Sequence, residues 1–502
     1  MSSFDLAFYA VSALALVLLV GLPLVVAAGA ILAAVLSAPP NRHGSISRRL
    51  VVVGLFVSFA GLLLMGLGAW LGHEDSRYGA LESLGILMIT LIGAGLLVAG
   101  LGPLPAMLLE VTAPYAERLP LPFRLAVRDL AGRRIRAVLA ITLAMVASAF
   151  GIALMVIAVG QTTLSRAEYS PRARLGTLLV QPNPLYAGPF SAADAESVRA
   201  VIERDLPGVP IAQSERLSAE SRFFEVRAEN VEIPEEVVYG DQAIGDEKLL
   251  RYLTGDQSTP YDEGTAVVIT SAEVKVDSVE LSFEINENDR TTTVRTVPAV
   301  SARAADPHME TIFVPSKIVR DLGYQLQPEE FIVDPTLRRV TAQEQERLDG
   351  RLDDAVAKAY VERGFEASTG WLPVVAVVLL VALGCALSAG FGKAANARQA
   401  RVLRRAGDGS VAAFRWFCSF RSGLSALCGT VLGAVAGCPA GMLLLWPLTV
   451  RTTWEEPGRV PFETPWPAIA AVVAGLPLLA AALGAVLTRE QSHVPTSAAS
   501  RP

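Results

Sequence analysis

Seven stretches of this chain are each apolar over about twenty residues or more and contain no Asp, Glu, Lys, Arg or His. The hydrocarbon core of a bilayer is about 30 Å thick, and an α-helix needs about twenty apolar residues to cross it. The sequence therefore predicts seven transmembrane helices. They lie at 6–36, 50–72, 84–109, 137–160, 371–391, 422–448 and 465–488.

The charged residues are concentrated in one part of the chain. They make up 18% of the whole, which is fewer than in an ordinary soluble domain. The segment 161–370 holds 37 of the 49 acidic side chains but only 22 of the 43 basic ones. This predicts an acidic, water-soluble insert in an otherwise apolar and net basic chain. It excludes a nucleic-acid-binding protein, which needs its basic residues on a soluble face.

The basic residues of the short connections predict the orientation. Connections 37–49, 110–136 and 392–421, together with the C-terminal tail, hold 18 Lys and Arg residues, against three in 73–83 and 449–464. Basic connections stay in the cytoplasm, so we expect the N-terminus outside, the C-terminus in the cytoplasm and the insert outside. The 38 arginines against 5 lysines indicate a high-GC bacterium, and hence a multi-pass protein of a bacterial cell membrane.

The insert has the local patterns of both helices and strands. Ser191 is the expected N-cap of a helix at 192–205, and Thr341 with Glu344 forms a capping box before a helix at 342–363. Short β-rich runs predict strands at 176–180, 265–270, 279–285, 291–297, 311–314 and 331–333. This mixture favours a compact α+β domain. Its acidic surface is typical of solubility, and a site for a cation or a cationic peptide is the alternative.

The predicted fold class is thus an α-helical membrane protein with seven transmembrane helices and one inserted extracytoplasmic α+β domain. The domains are three N-terminal transmembrane helices (1–112), a cytoplasmic amphipathic elbow helix (113–136), transmembrane helix 4 (137–160), the extracytoplasmic domain (161–370), three C-terminal transmembrane helices (371–488) with a cytoplasmic coupling loop (392–421), and a cytoplasmic tail (489–502).

The chain contains no recognisable catalytic or metal-binding motif. Gly392-Lys393 is not a phosphate-binding loop, because position 387 is Leu rather than Gly and Ala394 follows the lysine. Nucleophile elbows, His-Glu-x-x-His and Cys-x-x-Cys are absent, and the four histidines are scattered. We predict a protein that is not an enzyme, with no catalytic or metal residue. Neighbouring acids are interpreted as solvated surface rather than glycosidase carboxylates, namely Glu235-Glu236, Glu329-Glu330 and Asp353-Asp354.

Two cytoplasmic segments carry more specific patterns. In the first, an apolar stripe at helical spacing predicts a helix in the headgroup layer with its arginines on anionic membrane lipids; an accidental periodicity is the alternative. The stripe is Phe123, Ala126, Val127 and Leu130, and the elbow residues assigned to the membrane interface are Phe123, Arg124, Arg128, Asp129, Arg133, Arg134 and Arg136.

The second segment, 397–407, joins the fifth and sixth spans. Its small apolar face, surrounded by arginines and ended by a glycine, is typical either of a short helix that docks on a cytoplasmic partner or of a plain basic loop. Its assigned coupling residues are Gln399, Arg401, Val402, Leu403, Arg404, Arg405 and Gly407.

In these two segments the chain resembles the FtsX/MacB-type ABC transporter permease family (FtsX-like permeases). Residues 126–136 read Ala-Val-Arg-Asp-Leu-x-x-Arg-Arg-x-Arg before a span, and an outer domain and three spans follow. Residues 403–407 read Leu-Arg-Arg-Ala-Gly, similar to the Leu-Arg-Ala-x-Gly of the family. Many members have Glu where this chain has Gln399. The similarity covers about 120–490, and the order of elements is more specific than either motif.

The resemblance implies a permease subunit that is coupled through 397–408 to a separate cytoplasmic ABC ATPase. It implies ATP and Mg on that partner, no cofactor on this chain, and transmission of motion across the membrane. That agrees with spans that have no ionisable residue for ion coupling. With one outer domain the chain is similar to a shortened member, which implies a second permease copy or a related permease as a further partner.

The predicted function is therefore export or extraction of a lipid, lipoprotein, peptide or drug by an ATP-driven complex. The alternative is a membrane signalling or regulatory protein that controls a cell-wall hydrolase or senses peptides. A membrane-anchored extracytoplasmic enzyme is a third possibility, which would need a cluster of acids or a nucleophile in an outer cleft.

Overall fold

The computed structural model of the chain divides into two units. We call the first, Met1–Glu168 with Ala367–Pro502, the membrane unit, and the second, Tyr169–Glu366, the inserted domain. The structure describes residues 28–35, 48–73, 80–115, 120–132, 134–183, 189–218, 223–229, 231, 233–234, 237–286, 289–390, 411–449 and 462–490.

Within the described residues, six helices of the membrane unit are long and apolar enough to cross a membrane, which identifies a multi-pass membrane protein. Large apolar side chains such as Phe56, Leu380 and Leu478 are 64–70% exposed on these helices, as expected for side chains that face lipid. The candidate spans are Arg49–Leu71, Glu82–Val111, Ile135–Ala167, Trp371–Ser388, Ala412–Leu448 and Trp466–Leu487.

The helices of the membrane unit are numbered in chain order, with α7–α10 belonging to the inserted domain. They are α1 (28–35), α2 (Arg48–Leu71), α3 (Ala80–Gly100), α4 (Leu104–Tyr115), α5 (Leu121–Gly132), α6 (Arg134–Ala167), α11 (Trp371–Gly390), α12 (Val411–Leu448) and α13 (Trp466–Glu490).

These helices correspond to six of the seven predicted spans, with two differences. The predicted span 84–109 is broken between α3 and α4, where Pro103 has no N–H to continue the helical hydrogen bonds. The sixth span begins earlier than expected, because α12 starts at Val411 and so takes in eleven residues of the predicted loop 392–421. Most of the first predicted span, 6–36, lies outside the described residues, and the seven-span count stays a prediction.

The inserted domain contains a ten-stranded mixed sheet with the strand order β10-β1-β9-β2-β4-β8-β5-β7-β6-β3. The pairs β4–β8 and β5–β7 are parallel and the other pairs are antiparallel. The strands are β1 (Leu178–Pro182), β2 (Ile211–Leu217), β3 (Phe224–Ala228), β4 (Gln242–Gly245), β5 (Ala266–Thr270), β6 (Ser278–Asn286), β7 (Asp289–Arg303), β8 (Thr311–Pro315), β9 (Leu326–Val333) and β10 (Ala357–Val361).

Among the described residues of the domain, four helices pack on this sheet and complete the predicted α+β architecture. Both predicted caps are present: the Ser191 and Thr341 hydroxyls accept hydrogen bonds from the backbone N–H groups of Asp194 and Glu344. Three apolar clusters form the core. The helices are α7 (Ala192–Asp205), α8 (Glu247–Thr254), α9 (Ser316–Asp321) and α10 (Ala342–Asp349).

The prediction of a helix over 342–363 was wrong in its second half. The helix ends at Asp349, followed by Gly350, and β10 occupies 357–361. The cause is tertiary: alternate side chains of β10 are buried, with Ala357, Ala359 and Val361 in the core beside β1.

Candidate functional site

The predicted coupling residues fall in a segment that the structure does not describe. Gln399, Arg401, Val402, Leu403, Arg404, Arg405 and Gly407 all lie within 391–410, outside the described residues. The nearest described element is α12, which begins at Val411. The site can therefore be built only from α12, the elbow and the helices around them.

The elbow is helical, as α5, and three of the four residues of its predicted apolar stripe are buried, while Phe123 is partly buried. Ala126, Val127 and Leu130 are at most 4% exposed. Ala126 packs with Phe417 and Cys418 of α12, and Leu130 packs with residues of α6, so the stripe contacts protein helices rather than lipid. Phe123 meets Phe420 edge-on, with 4.6 Å between ring centroids.

The charged residues of the elbow have different environments. Arg124 is partly buried, whereas Arg128 and Arg136 are exposed. Arg133 and the side chain of Arg134 lie outside the described part of the chain. The structure thus leaves two of the predicted interface arginines accessible at the surface of the membrane unit.

Asp129, the acidic residue of the elbow helix, forms a buried ion pair with Arg421 of α12. Arg421 Nη1 and Asp129 Oδ2 are 2.7 Å apart, and the two side chains are 5% and 6% exposed. Removing one partner of a buried pair leaves an uncompensated charge in a poorly solvated place, so the pair holds the two helices in one arrangement.

The sequence alone assigns the partners of this pair to separate features. Asp129 lies in the predicted interface elbow and Arg421 ends the basic connection 392–421, nearly 300 positions further along the chain. The available signals were weak. Asp129 is the lone acid in 121–136, and Arg421 directly precedes an apolar stretch.

A row of glycines brings α12 against α6. Gly429, Gly433, Gly437 and Gly441 are spaced four residues apart and so share one face of α12. A Cβ atom built on Gly433 would lie 2.6 Å from Ser148 Cβ, and the other three glycines face similarly close atoms of α6. Small residues at this spacing let two helix backbones approach closely.

The inserted domain is fastened where the chain enters and leaves it. Glu362, which is fully buried, accepts hydrogen bonds from the hydroxyl of Tyr169 and from the backbone N–H groups of Arg172 and Gly364, the latter two at 2.9 Å. Burial, with a further contribution from Glu362, raises the pKa of Tyr169, so its hydroxyl stays a donor at neutral pH.

This fastening joins the two connections at one edge of the sheet. The entering chain continues into β1 and the leaving chain comes from β10, which pair antiparallel at the edge of the sheet. The connection from α6 and the connection to α11 are therefore tied to neighbouring strands, and Glu362 links the two.

The contacts described in these helices and connections are an ion pair, close backbone packing and hydrogen bonds. Among the described residues, no group of three or more His, Cys, Asp or Glu side chains is placed to hold a metal ion. The fold and composition define a multi-pass membrane protein with an inserted α+β domain. No protein-family model matches the chain, and no similar sequence was found among the curated proteins.

Proposed function

We propose that this chain is the permease subunit of an ABC transporter in a bacterial cell membrane. The inserted domain lies outside, and a separate cytoplasmic ATPase subunit, with its ATP and Mg, supplies the energy. The complex exports or extracts a lipid, lipoprotein, peptide or drug, and it contains a second permease copy or a related permease.

The observation that carries this proposal is the buried ion pair between Asp129 and Arg421. It joins the elbow to the first turns of α12. This helix begins at Val411, directly after the segment that contains the proposed coupling residues. A displacement of 399–407 would therefore move α12 and the elbow together. Separating the two helices would leave the charges of Asp129 and Arg421 apart in poorly solvated surroundings, which is costly.

The glycine row supports the next step of the mechanism. Because α12 and α6 are in backbone contact along Gly429–Gly441, a shift of α12 is passed to α6 over several turns. Helix α6 ends at Ala167 and the inserted domain begins at Tyr169, so the shift arrives at β1 and β10, which Glu362 holds together.

Co-purification tests the proposal. The full-length chain is crosslinked in native membranes and isolated, and its partners are identified by mass spectrometry. We expect an ATPase with a phosphate-binding loop in the wild-type sample, and about tenfold less of it with Leu403→Asp combined with Arg404→Glu.

The matched control is Arg489→Glu, which changes a basic residue on the same proposed side of the membrane and should retain the ATPase. A wild-type chain that brings down no ATPase contradicts the proposal. A stable extracytoplasmic protein in its place would support the regulatory alternative.

A further inference from the structure

The inserted domain contains a cleft that the proposed mechanism does not use. It has a volume of about 840 Å³ and lies over β1, β2, β4 and β9, four neighbouring strands of the sheet. Ligand pockets in proteins commonly have volumes of about 300–1,000 Å³. The cleft is therefore large enough for a small organic molecule or for a side chain of a peptide.

A β-bulge turns two consecutive glutamates into this cleft. Along the β2–β9 pair, Ser214 is opposite Glu330 but Glu215 is opposite Pro328, so Glu329 is an extra residue in β9. Successive residues of a regular strand point to opposite faces, and a bulge breaks that alternation. As a result, both Glu329 and Glu330 line the cleft.

Glu330 is a buried acid without a basic partner among the described residues. It is 6% exposed, and its Oε2 accepts a hydrogen bond of 2.8 Å from the side-chain amide of Gln181. Burial raises the pKa of Glu330, although hydrogen bonds from Gln181 and Tyr239 oppose this. An ionised carboxylate is costly to bury unless a cation accompanies it.

The walls around Glu330 offer further unsatisfied polar atoms. Ser214 is 2% exposed, and among the described residues neither its hydroxyl nor Oε1 of Gln242 has a hydrogen-bond partner. Buried polar atoms normally have partners, so unpartnered ones beside a cleft point to a missing ligand. Both atoms can accept hydrogen bonds, which favours a ligand rich in donors.

The two arginines on the cleft have other contacts. Arg216 is 4.0 Å from Glu329, and both of these side chains are about half exposed. The guanidinium of Arg172 lies over the ring of Tyr360, 5.8 Å from its centroid. Neither arginine forms an ion pair with Glu330 in the described part of the domain, so the carboxyl group of that residue has no cationic counterpart there.

We propose that this cleft binds an organic cation whose ammonium or guanidinium group donates hydrogen bonds to Glu330, with Glu329, Ser214 and Gln242 around it. Such a group is found both in free polyamines and in the basic side chains of peptides. The inference does not depend on coupling to an ATPase.

Binding to the purified full-length chain tests the site. Spermidine represents the polyamine and tri-arginine the peptide, tri-glutamine is the neutral control, and affinities are measured by isothermal titration calorimetry. We expect spermidine, tri-arginine or both to bind, and Glu330→Gln to weaken that binding by about tenfold or more. The probe that binds more tightly identifies the source of the cation.

Two further variants separate binding from folding. Glu203→Gln, on the exposed surface of α7, should bind like the wild type. Glu330→Gln removes a buried charge and should melt no lower than the wild type; if it fails to fold, Glu329→Gln replaces it and should weaken binding about threefold. Equal binding by the wild type and the folded glutamate variant overturns the proposal. So does binding of tri-glutamine or of Ca²⁺ alone, or of no probe at about 1 mM.

Discussion

At the scale of single residues, the Asp129–Arg421 pair determines how the elbow is attached. Both side chains are almost completely removed from water, at 6% and 5% exposure, and they meet at 2.7 Å. The attraction between such charges compensates for their desolvation only while both are present. The pair therefore contributes less to net stability than to the choice of one arrangement of α5 on α12.

This interpretation predicts an asymmetry between single and double substitutions. Asp129→Leu should destabilise the protein by about 3–5 kcal/mol, because the buried guanidinium of Arg421 loses the carboxylate that lies 2.7 Å from it. The double variant Asp129→Leu with Arg421→Met should recover most of that loss. Thermal unfolding of the purified proteins in detergent measures the loss of stability in the single variant and its recovery in the double variant.

Arg136→Gln is the control for these substitutions, since Arg136 is exposed and its change should leave the melting temperature nearly unchanged. A double variant as unstable as the single one would show that the two charges do not act as a pair.

The same residues show what sequence reasoning could and could not reach. The spacing of Phe123, Ala126, Val127 and Leu130 identified the buried face of the elbow, because helical periodicity is a local property. It could not identify what covers that face. The partner is Phe417 and its neighbours, and such contacts between distant segments leave no periodic signal in one sequence.

At the scale of elements, the contact between α12 and α6 depends on glycines of α12, whose lack of a side chain lets the two backbones approach. Glycine is unfavourable in a helix interior by roughly 1 kcal/mol relative to alanine, so four of them on one face need a compensating reason. The close approach of the backbone of α6 supplies it, since a Cβ on Gly429 or Gly441 would lie 2.7 Å from a Cβ atom of α6.

The contact predicts opposite effects of one substitution at two sites. Gly433→Ala should destabilise the protein by about 1–3 kcal/mol, because its Cβ would meet Ser148 and the Met145 carbonyl oxygen at 2.6 and 2.9 Å. Gly384→Ala in α11, where a Cβ meets nothing within 4 Å, should be neutral or stabilising. The melting temperatures of the two variants, each compared with that of the wild type, test this prediction. Equal effects at both sites would mean that the helices do not approach as described.

In the inserted domain, the sequence located the strands rich in β-branched residues and missed strands that are short or polar. The strands rich in β-branched residues, such as β5 and β8, were located within a residue or two, because their composition is a strong local signal. The missed strands β2, β3, β4 and β10 are short or carry charged and polar residues. Their pairing is decided by neighbours in the sheet, and composition alone does not reveal it.

Glu329 and Glu330 illustrate the same limit at the candidate cleft. Their sequence context indicated solvated surface, yet Glu330 is buried and Glu329 is about half exposed. Two adjacent acids point to one cleft only because β9 has an extra residue relative to β2. A bulge of this kind depends on the partner strand, so it cannot be predicted from the local sequence.

At the scale of the whole molecule, the proposal requires that the inserted domain and the basic connections lie on opposite sides of the membrane. The positive-inside rule supports this arrangement through 18 basic residues on one set of short connections and three on the other. The seven predicted spans would place the two chain ends on opposite sides, whereas an even number of spans would not.

Accessibility labelling in intact cells tests the orientation. Ala272→Cys places a thiol at an exposed position of the inserted domain, and Ser500→Cys places one in the C-terminal tail. We expect a membrane-impermeant maleimide to label the first variant in intact cells and the second only after permeabilisation. The wild-type chain, with its four cysteines in or beside the apolar helices, gives the background. Labelling of both variants from the same side would remove the route by which a cytoplasmic ATPase could act on an outer domain, and the transport mechanism would fail with it.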